Sequence, residues 1–131
     1  ALAPPAQVAL PEAGWLRLQT VTLAAAERTG ILSGNVDPRR EAWLSAKGLP
    51  AQLLQVRRWR SGDRYHALGA AGSRKLQDFF TDGKVARELR RRTPVITCGD
   101  DILWVPGFPP AHAYRLTPTT TRAIQLTYQA A

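Results

Sequence analysis

Apolar residues recur at two different spacings along this chain, and the change from one to the other lays out its elements. From Trp15 to Leu23 apolar and polar positions alternate, with β-branched residues among them. That two-residue period predicts a half-buried strand. Ser33-Gly34-Asn35 and Asp37-Pro38 punctuate a loop. Ala42-Trp43-Leu44 is a short apolar patch that fits an edge strand. Leu53 to Arg57 reads as a fuller strand, turned by Ser61-Gly62-Asp63.

From Gly72 onward the period lengthens. Ser73 takes the N-cap position of a predicted helix on which Leu76, Phe79 and Phe80 fall at i, i+3 and i+4, so that face is core. Asp82-Gly83 interrupts the pattern, and Asp82 is placed to cap a second helix from Lys84 to Arg92. On that helix Lys84, Arg87 and Arg91 share one face, while Val85 and Leu89 share another. Thr93-Pro94 ends it. Val95–Thr97 and Ile102–Val105 then read as strands joined across Cys98–Asp101 in a hairpin. Arg115-Leu116 and Ala123–Tyr128 supply two more. Mainly antiparallel strands around a central pair of short helices define a single small α+β domain.

A length of 131 residues allows one modest core, and 44% apolar residues with four Trp indicate a folded chain. No apolar run approaches the roughly 18 residues of a membrane-spanning helix. The single Cys excludes an internal disulfide and fits a reducing compartment, so a cytoplasmic location is expected. The sequence holds no Met, even at position 1, so either a processed chain or a piece cut from a larger protein is expected. The Ala- and Pro-rich opening extends that idea: residues 1–13 read as a linker remnant, 14–55 as lead-in strands and loops, and 56–131 as the functional domain.

Charge sharpens the picture. Between Arg57 and Arg92 there are eleven Arg or Lys against four acids, in a chain whose net charge is +8. Such concentration is the electrostatic footprint of a polyanion, and nucleic acid is the commonest one. Arg74 and Lys75 fall at the expected start of the first helix, where the macrodipole disfavours cations unless an anion is bound. Lys84, Arg87 and Arg91, with Arg90 and Arg92 beside them, crowd the second helix with only Glu88 interleaved. The plain alternative in both places is a solvated helix face. Arg57, Arg58, Arg60 and Arg64 alternate with Trp59 and Tyr65, which suits phosphate contact with base stacking. Equally, Trp59 can be core and the Arg side chains the wet face of a strand.

The remaining residue types oppose catalysis. His66 and His112 lie 46 positions apart with no second Cys, which is not metal-ligand spacing. Cys98 falls in a turn with no base placed beside it, and no glycine-rich nucleotide loop is present. No catalytic and no metal-binding residue is therefore expected.

Ordered motifs add more. Gly62-Asp63-Arg64, Leu68-Gly69, Gly72-Ser73-Arg74-Lys75-Leu76-Gln77-Asp78-Phe79-Phe80, Asp82, Lys84-Val85 and Trp104-Val105-Pro106-Gly107 succeed one another along the chain. In order and spacing they resemble the C-terminal domain of tRNA(Ile)-lysidine synthetase, whose pattern runs GDRF-x-PLG-x-x-G-x-KKL-x-DFF-x-D-x-KVP and closes with WVPG. The resemblance covers Val56 to Thr127. Ala67 and Ala86 depart from it where the family commonly has Pro, and neither change removes a charge.

That resemblance implies a domain like one in the phenylalanyl-tRNA synthetase β chain, gripping the acceptor stem of tRNA. The family ligates lysine to the wobble cytidine of the CAU anticodon of an isoleucine tRNA, using ATP with Mg. This bacterial tRNA modification belongs to an N-terminal catalytic domain with an SGGxDS loop, a motif absent here. The expected partners are thus tRNA and that catalytic domain, with no membrane, no cofactor on this stretch itself, and no ligase activity from it alone. The residues expected to touch RNA are Arg58, Arg60, Arg64, Arg74, Lys75, Lys84, Arg87, Arg90, Arg91 and Arg92. Two other readings stand beside this one: a free-standing structured-RNA-binding module of the same fold without ligase activity, and a protein-docking surface built on Trp43 or Trp59.

Overall fold

In the computed structural model, which describes residues 3–131, every strand pairing is antiparallel. The strands are β1 (Ala6–Leu10), β2 (Gly14–Thr22), β3 (Glu41–Ser45), β4 (Leu54–Arg57), β5 (Arg64–Tyr65), β6 (Arg74–Lys75), β7 (Val95–Cys98), β8 (Asp101–Trp104) and β9 (Arg122–Ala130). Three short helices join them: α1 (Ala25–Leu32), α2 (Leu76–Asp82) and α3 (Arg87–Arg92). A four-stranded sheet runs in the order β1-β2-β9-β3, a three-stranded sheet in the order β4-β7-β8, and β5-β6 form a small ribbon. This is the α+β class read from the sequence.

Strand periodicity sorts the apolar side chains into separate layers. Leu16 and Leu18 of β2, Ala42 and Leu44 of β3 and Ile124 and Leu126 of β9 face Leu54, Ile96, Cys98, Leu103 and Trp104 across the main core. The opposite face of the three-stranded sheet carries Val95 and Ile102 against Tyr65, Leu76 and Phe80, which seats α2 on that sheet. A register shift between Ile96 and Thr97 breaks the strict alternation of the β7–β8 pair. It lets the adjacent Leu103 and Trp104 both enter the main core. Leu23, Trp43, Leu116 and Ala123 form a smaller layer on the far side of the larger sheet, which leaves β3 buried on both faces.

Several expectations are corrected. The opening segment does not remain a linker: Ala6–Leu10 is a strand in register with β2, because Ala6 and Leu10 pack on the main core. Ala1 and Leu2 of that segment lie outside the described residues. Residues 14–55 are not a lead-in either, since β9 pairs with both β2 and β3 and closes one sheet across the whole chain. Arg115-Leu116 forms no strand; Leu116 is buried at the end of a short 3-10 turn. An unexpected helix, α1, occupies Ala25–Leu32 with no side-chain cap and no buried residue.

Candidate nucleic-acid interface

The Gly62-Asp63-Arg64 segment is the anchor of the region. Both carboxylate oxygens of Asp63 accept from the Arg57 guanidinium, each at 2.9 Å, and one also accepts the Arg60 backbone N–H at 2.7 Å. The pair is largely shielded, with side chains 23% and 11% exposed. Burial pushes the Asp63 carboxyl up, but the Arg57 guanidinium and the Arg60 N–H outweigh it and hold it below its ordinary value. Arg57 is thereby committed to the fold. The closed loop leaves Arg58 and Arg60 exposed on either side of Trp59, whose ring packs edge-on to Phe80 at 5.4 Å. Trp59 therefore packs against the α2 cluster and braces the core-facing side of the loop while staying half-buried.

Arg74 and Lys75 do not sit inside a helix N-terminus. They pair with Tyr65 and Arg64 as a two-residue strand, and α2 starts only at Leu76, whose N–H donates to the Asp63 carbonyl at 2.8 Å. Ser73 is correspondingly not the cap; Arg64 donates to its hydroxyl at 3.3 Å and its carbonyl at 3.1 Å. Arg74 forms an ion pair with Asp82 at the other end of α2 and lies over the Phe79 ring at 5.0 Å. Arg74 is thus paired, while Lys75 is the N-cap residue of α2 and keeps its charge at the helix start. Lys75 remains exposed.

The second helix is shorter than its pattern. Lys84, just past the C-cap Gly83 of α2, adopts a left-handed conformation, φ 54°. Its N–H donates to Thr81 O at 3.0 Å and the Val85 N–H to Phe80 O at 2.9 Å. These bonds close a Schellman motif in which Lys holds the place glycine usually takes. Asp82 accordingly belongs to α2 and does not cap the next helix; α3 begins at Arg87, after Ala86. Lys84 therefore falls off the helix face that Arg87 and Arg91, at i and i+4, still share. Arg90 turns inward: its Nε donates to Val85 O at 2.7 Å, and its guanidinium lies over Phe80 at 5.5 Å.

What the fold brings together is Arg58, Arg91 and Arg92. They line a groove of about 270 Å³ with Leu10, Glu12, Glu88, Thr93 and Pro94, at the foot of the β1–β2 turn. Arg60, Lys75, Lys84 and Arg87 stand exposed on the adjoining loop, ribbon and helix. Nine of the ten expected contacts are thus exposed and Arg90 is half-buried; Arg64 and Arg74, though exposed, also brace with Arg90 the scaffold that presents the other seven.

Other candidates settle quickly. His66 and His112 stack with ring centroids 4.6 Å apart, and among the described residues no group of three or more His, Cys, Asp or Glu gathers to hold a metal. Cys98 is buried and its thiol points to Pro50 O at 3.5 Å; burial, reinforced by Asp101, pushes its pKa up, away from nucleophile behaviour. No helix among the described residues is long and apolar enough to cross a membrane. One feature escaped the sequence: Lys47, Arg115 and Arg122 converge on a second concavity. Counting charge along the chain does not find it, because the three lie on separate segments.

Known proteins resemble this chain in sequence and fold. The sequence profile of the TilS substrate C-terminal domain matches residues 54–126. A tRNA(Ile)-lysidine synthase of Symbiobacterium thermophilum is 40% identical over 90 residues, which are 69% of this chain and 18% of that protein. One of Geobacter sulfurreducens is 43% identical over 77 residues, 59% of this chain and 16% of that protein. The chain thus spans less than a fifth of the length of these curated relatives. A crystal structure of a TilS C-terminal domain superposes with a TM-score of 0.74 at 28% identity, over 96% of this chain and 91% of the other. An N-terminal fragment of the phenylalanyl-tRNA synthetase β-subunit from Pyrococcus horikoshii shares the fold alone, with a TM-score of 0.63 at 13% identity over 91% of this chain and 40% of that one.

Proposed function

The chain belongs to the TilS substrate C-terminal domain family, and from that membership we propose that it grips the acceptor stem of an isoleucine tRNA bearing a CAU anticodon. The observation that carries this reading is the set of exposed cations Arg58, Arg60, Lys75, Lys84, Arg87, Arg91 and Arg92 on elements locked by the Arg57–Asp63 pair and by Arg90. A double-stranded RNA stem offers phosphates and 2′-hydroxyls on a regular A-form surface, and rigidly presented Arg and Lys side chains read that shape.

In this reading the contribution to catalysis is positional. Holding one end of the tRNA places the wobble cytidine of the other end in an active site carried elsewhere in the enzyme, where lysine is ligated at the expense of ATP. The residues of this chain do not fit ATP and magnesium: the sequence has no glycine-rich phosphate loop, and among the described residues no carboxylate cluster gathers for a divalent ion. That chemistry is assigned to the catalytic part of the protein, in the cytoplasm where tRNA is modified, and no step of it is routed through this chain.

Binding of the 131-residue chain to an isoleucine tRNA transcript, followed between low and moderate salt, tests the reading. We expect tRNA to bind more tightly than single-stranded RNA of equal length. Affinity should fall steeply with salt, and Arg91→Glu with Arg92→Glu should weaken it and reduce the salt slope by roughly two. Affinity that is flat with salt, or equal for both RNAs, refutes it.

A further inference from the structure

We propose that Lys47, Arg115 and Arg122 form a second, separate binding site for the phosphodiester backbone of the same tRNA. This inference rests on the tRNA-binding reading above and adds to it a second point of grip.

The site is built from three distant segments. Lys47 lies just past the end of β3, Arg115 closes the 3-10 turn at His112–Tyr114, and Arg122 opens β9. They line one concavity of about 620 Å³ with Ser45, Tyr114 and the threonines Thr117, Thr119, Thr120 and Thr121. Among the described residues no carboxylate lines it. That distinguishes it from the groove at α3, where Glu12 and Glu88 stand among the cations. Three positive side chains converging on a concave surface with no acid between them repel one another and focus a positive potential, an arrangement that a bound anion relieves.

The walls are prepared before any ligand arrives. Arg115 donates from Nη1 to the His112 carbonyl at 3.0 Å, which fixes its guanidinium while the side chain stays exposed. The threonine loop is closed on itself: the Thr117 N–H donates to Thr120 Oγ1 at 2.9 Å, and the Thr117 hydroxyl lies 3.2 Å from those of Thr119 and Thr120. Arg28 reaches across to the Thr120 carbonyl at 3.0 Å and ties this loop to α1. Cations on fixed backbone beside a row of hydroxyls match phosphate oxygens, which accept from both.

Position makes the site independent of the first. The α3 groove lies at the β1–β2 turn, where Gly14 pairs with Ala130; the second concavity lies where Thr22 pairs with Arg122 and Ser45 with Ala123. The two therefore sit at opposite ends of β9, about 27 Å apart at ~3.4 Å per residue. One rigid strand holds two cationic grips apart, and that separation demands an extended, stiff polyanion. A structured RNA supplies it.

The experiment is a salt series of tRNA binding by the 131-residue chain and its Lys47→Glu/Arg122→Glu variant, beside Arg91→Glu/Arg92→Glu. Arg115 is left in place because of its bond to His112. We expect Lys47→Glu/Arg122→Glu to melt like the parent, to bind more weakly, and to lose roughly two from the salt slope. The four-substitution combination should lose roughly four, since sites this far apart act additively. If Lys47→Glu/Arg122→Glu keeps the parent's affinity and slope while the α3 variant loses both, the second site is refuted and the tRNA reading stands. If the parent itself binds without salt dependence, both fall. Should the charge reversal lower the melting temperature, Lys47→Gln/Arg122→Gln is measured instead, with a loss of slope supporting the site and an unchanged slope overturning it.

Discussion

Replacing Asp63 by Ala removes three hydrogen bonds at once, two from the Arg57 guanidinium at 2.9 Å and one from the Arg60 N–H at 2.7 Å. It also strands a guanidinium that is only 23% exposed. Breaking a buried ion pair by deleting one partner costs roughly 3–5 kcal/mol. Arg57 sits at the edge of a loop and can turn partly toward water, so the lower figure applies, about 3 kcal/mol. For a chain of this length that corresponds to a drop of about 10 °C in Tm. Thermal unfolding measured by circular dichroism reads it directly. The pH dependence has a definite sign. Because the folded-state carboxyl lies below its ordinary value, its stabilisation is complete above the ordinary carboxylate range near pH 4 and disappears as pH falls through the lower folded value. The gap between parent and Asp63→Ala should therefore hold at pH 7 and 5 and close below about pH 4. A second readout separates geometry from bulk charge. Deleting an acid makes a chain of net charge +8 more positive, which by charge alone tightens RNA binding; loosening the loop that carries Arg58 and Arg60 weakens it. We expect weakening. Equal melting temperatures at pH 7, or tighter tRNA binding, would refute the role given to this carboxylate.

Two further substitutions check the packing, each by thermal or denaturant unfolding. Phe80 is fully buried and meets Trp59, Phe108 and the Arg90 guanidinium, so Phe80→Ala should cost roughly 3–5 kcal/mol. Phe79→Ala should cost no more than about 2 kcal/mol, because that ring is only partly covered; equal losses would mean that α2 is rotated on its sheet. Gly14 has φ +113° and an added Cβ would fall 1.9 Å from the Gln129 carbonyl oxygen, so Gly14→Ala should lose roughly 3 kcal/mol or more. Gly99, at φ +58° with open space around it, should tolerate Ala at about 1 kcal/mol.

How far the sequence was readable depends on what decided each element. Where one face had to be buried, periodicity was sufficient: Leu76 and Phe80 marked the inner side of α2, and the alternation of Trp15–Leu23 marked β2. The edge position of β3 was visible in three apolar residues, although burial on its two faces was not. Helix ends were less legible because tertiary pairing overrode local signals. Arg74 and Lys75 left the helix pattern to join Arg64 and Tyr65, a partnership nine or more positions away. Lys84 carried no mark of a left-handed residue, yet the closure between Val85 and Phe80 required one. The helix α1 left little trace, since it buries nothing and begins without a capping side chain. The candidate site divided in the same way. Exposure of Arg58, Arg91 and Arg92 is expected from their charge, but their assembly with the β1–β2 turn depends on a strand read as linker. The structural roles of Arg57, Arg74 and Arg90 were hidden because an arginine engaged within the fold and one awaiting a phosphate are spelled alike.

The central place of β9 has a consequence for the timing of synthesis. A ribosome delivers β2 and β3 long before residues 122–130, yet both strands find their shared neighbour only in that later stretch. Until it emerges, the β1–β2 hairpin and β3 each offer an open row of amide and carbonyl groups with apolar side chains beneath, which is how nascent chains come to stick to one another. Closing the sheet joins segments as far apart as Gly14 and Ala130, so it is a slow event compared with the local hairpin of β7 and β8. A premature stop near residue 120 would therefore remove few charged groups while leaving the larger sheet without its keystone, and the product would be cleared or aggregate instead of persisting as a weaker RNA binder.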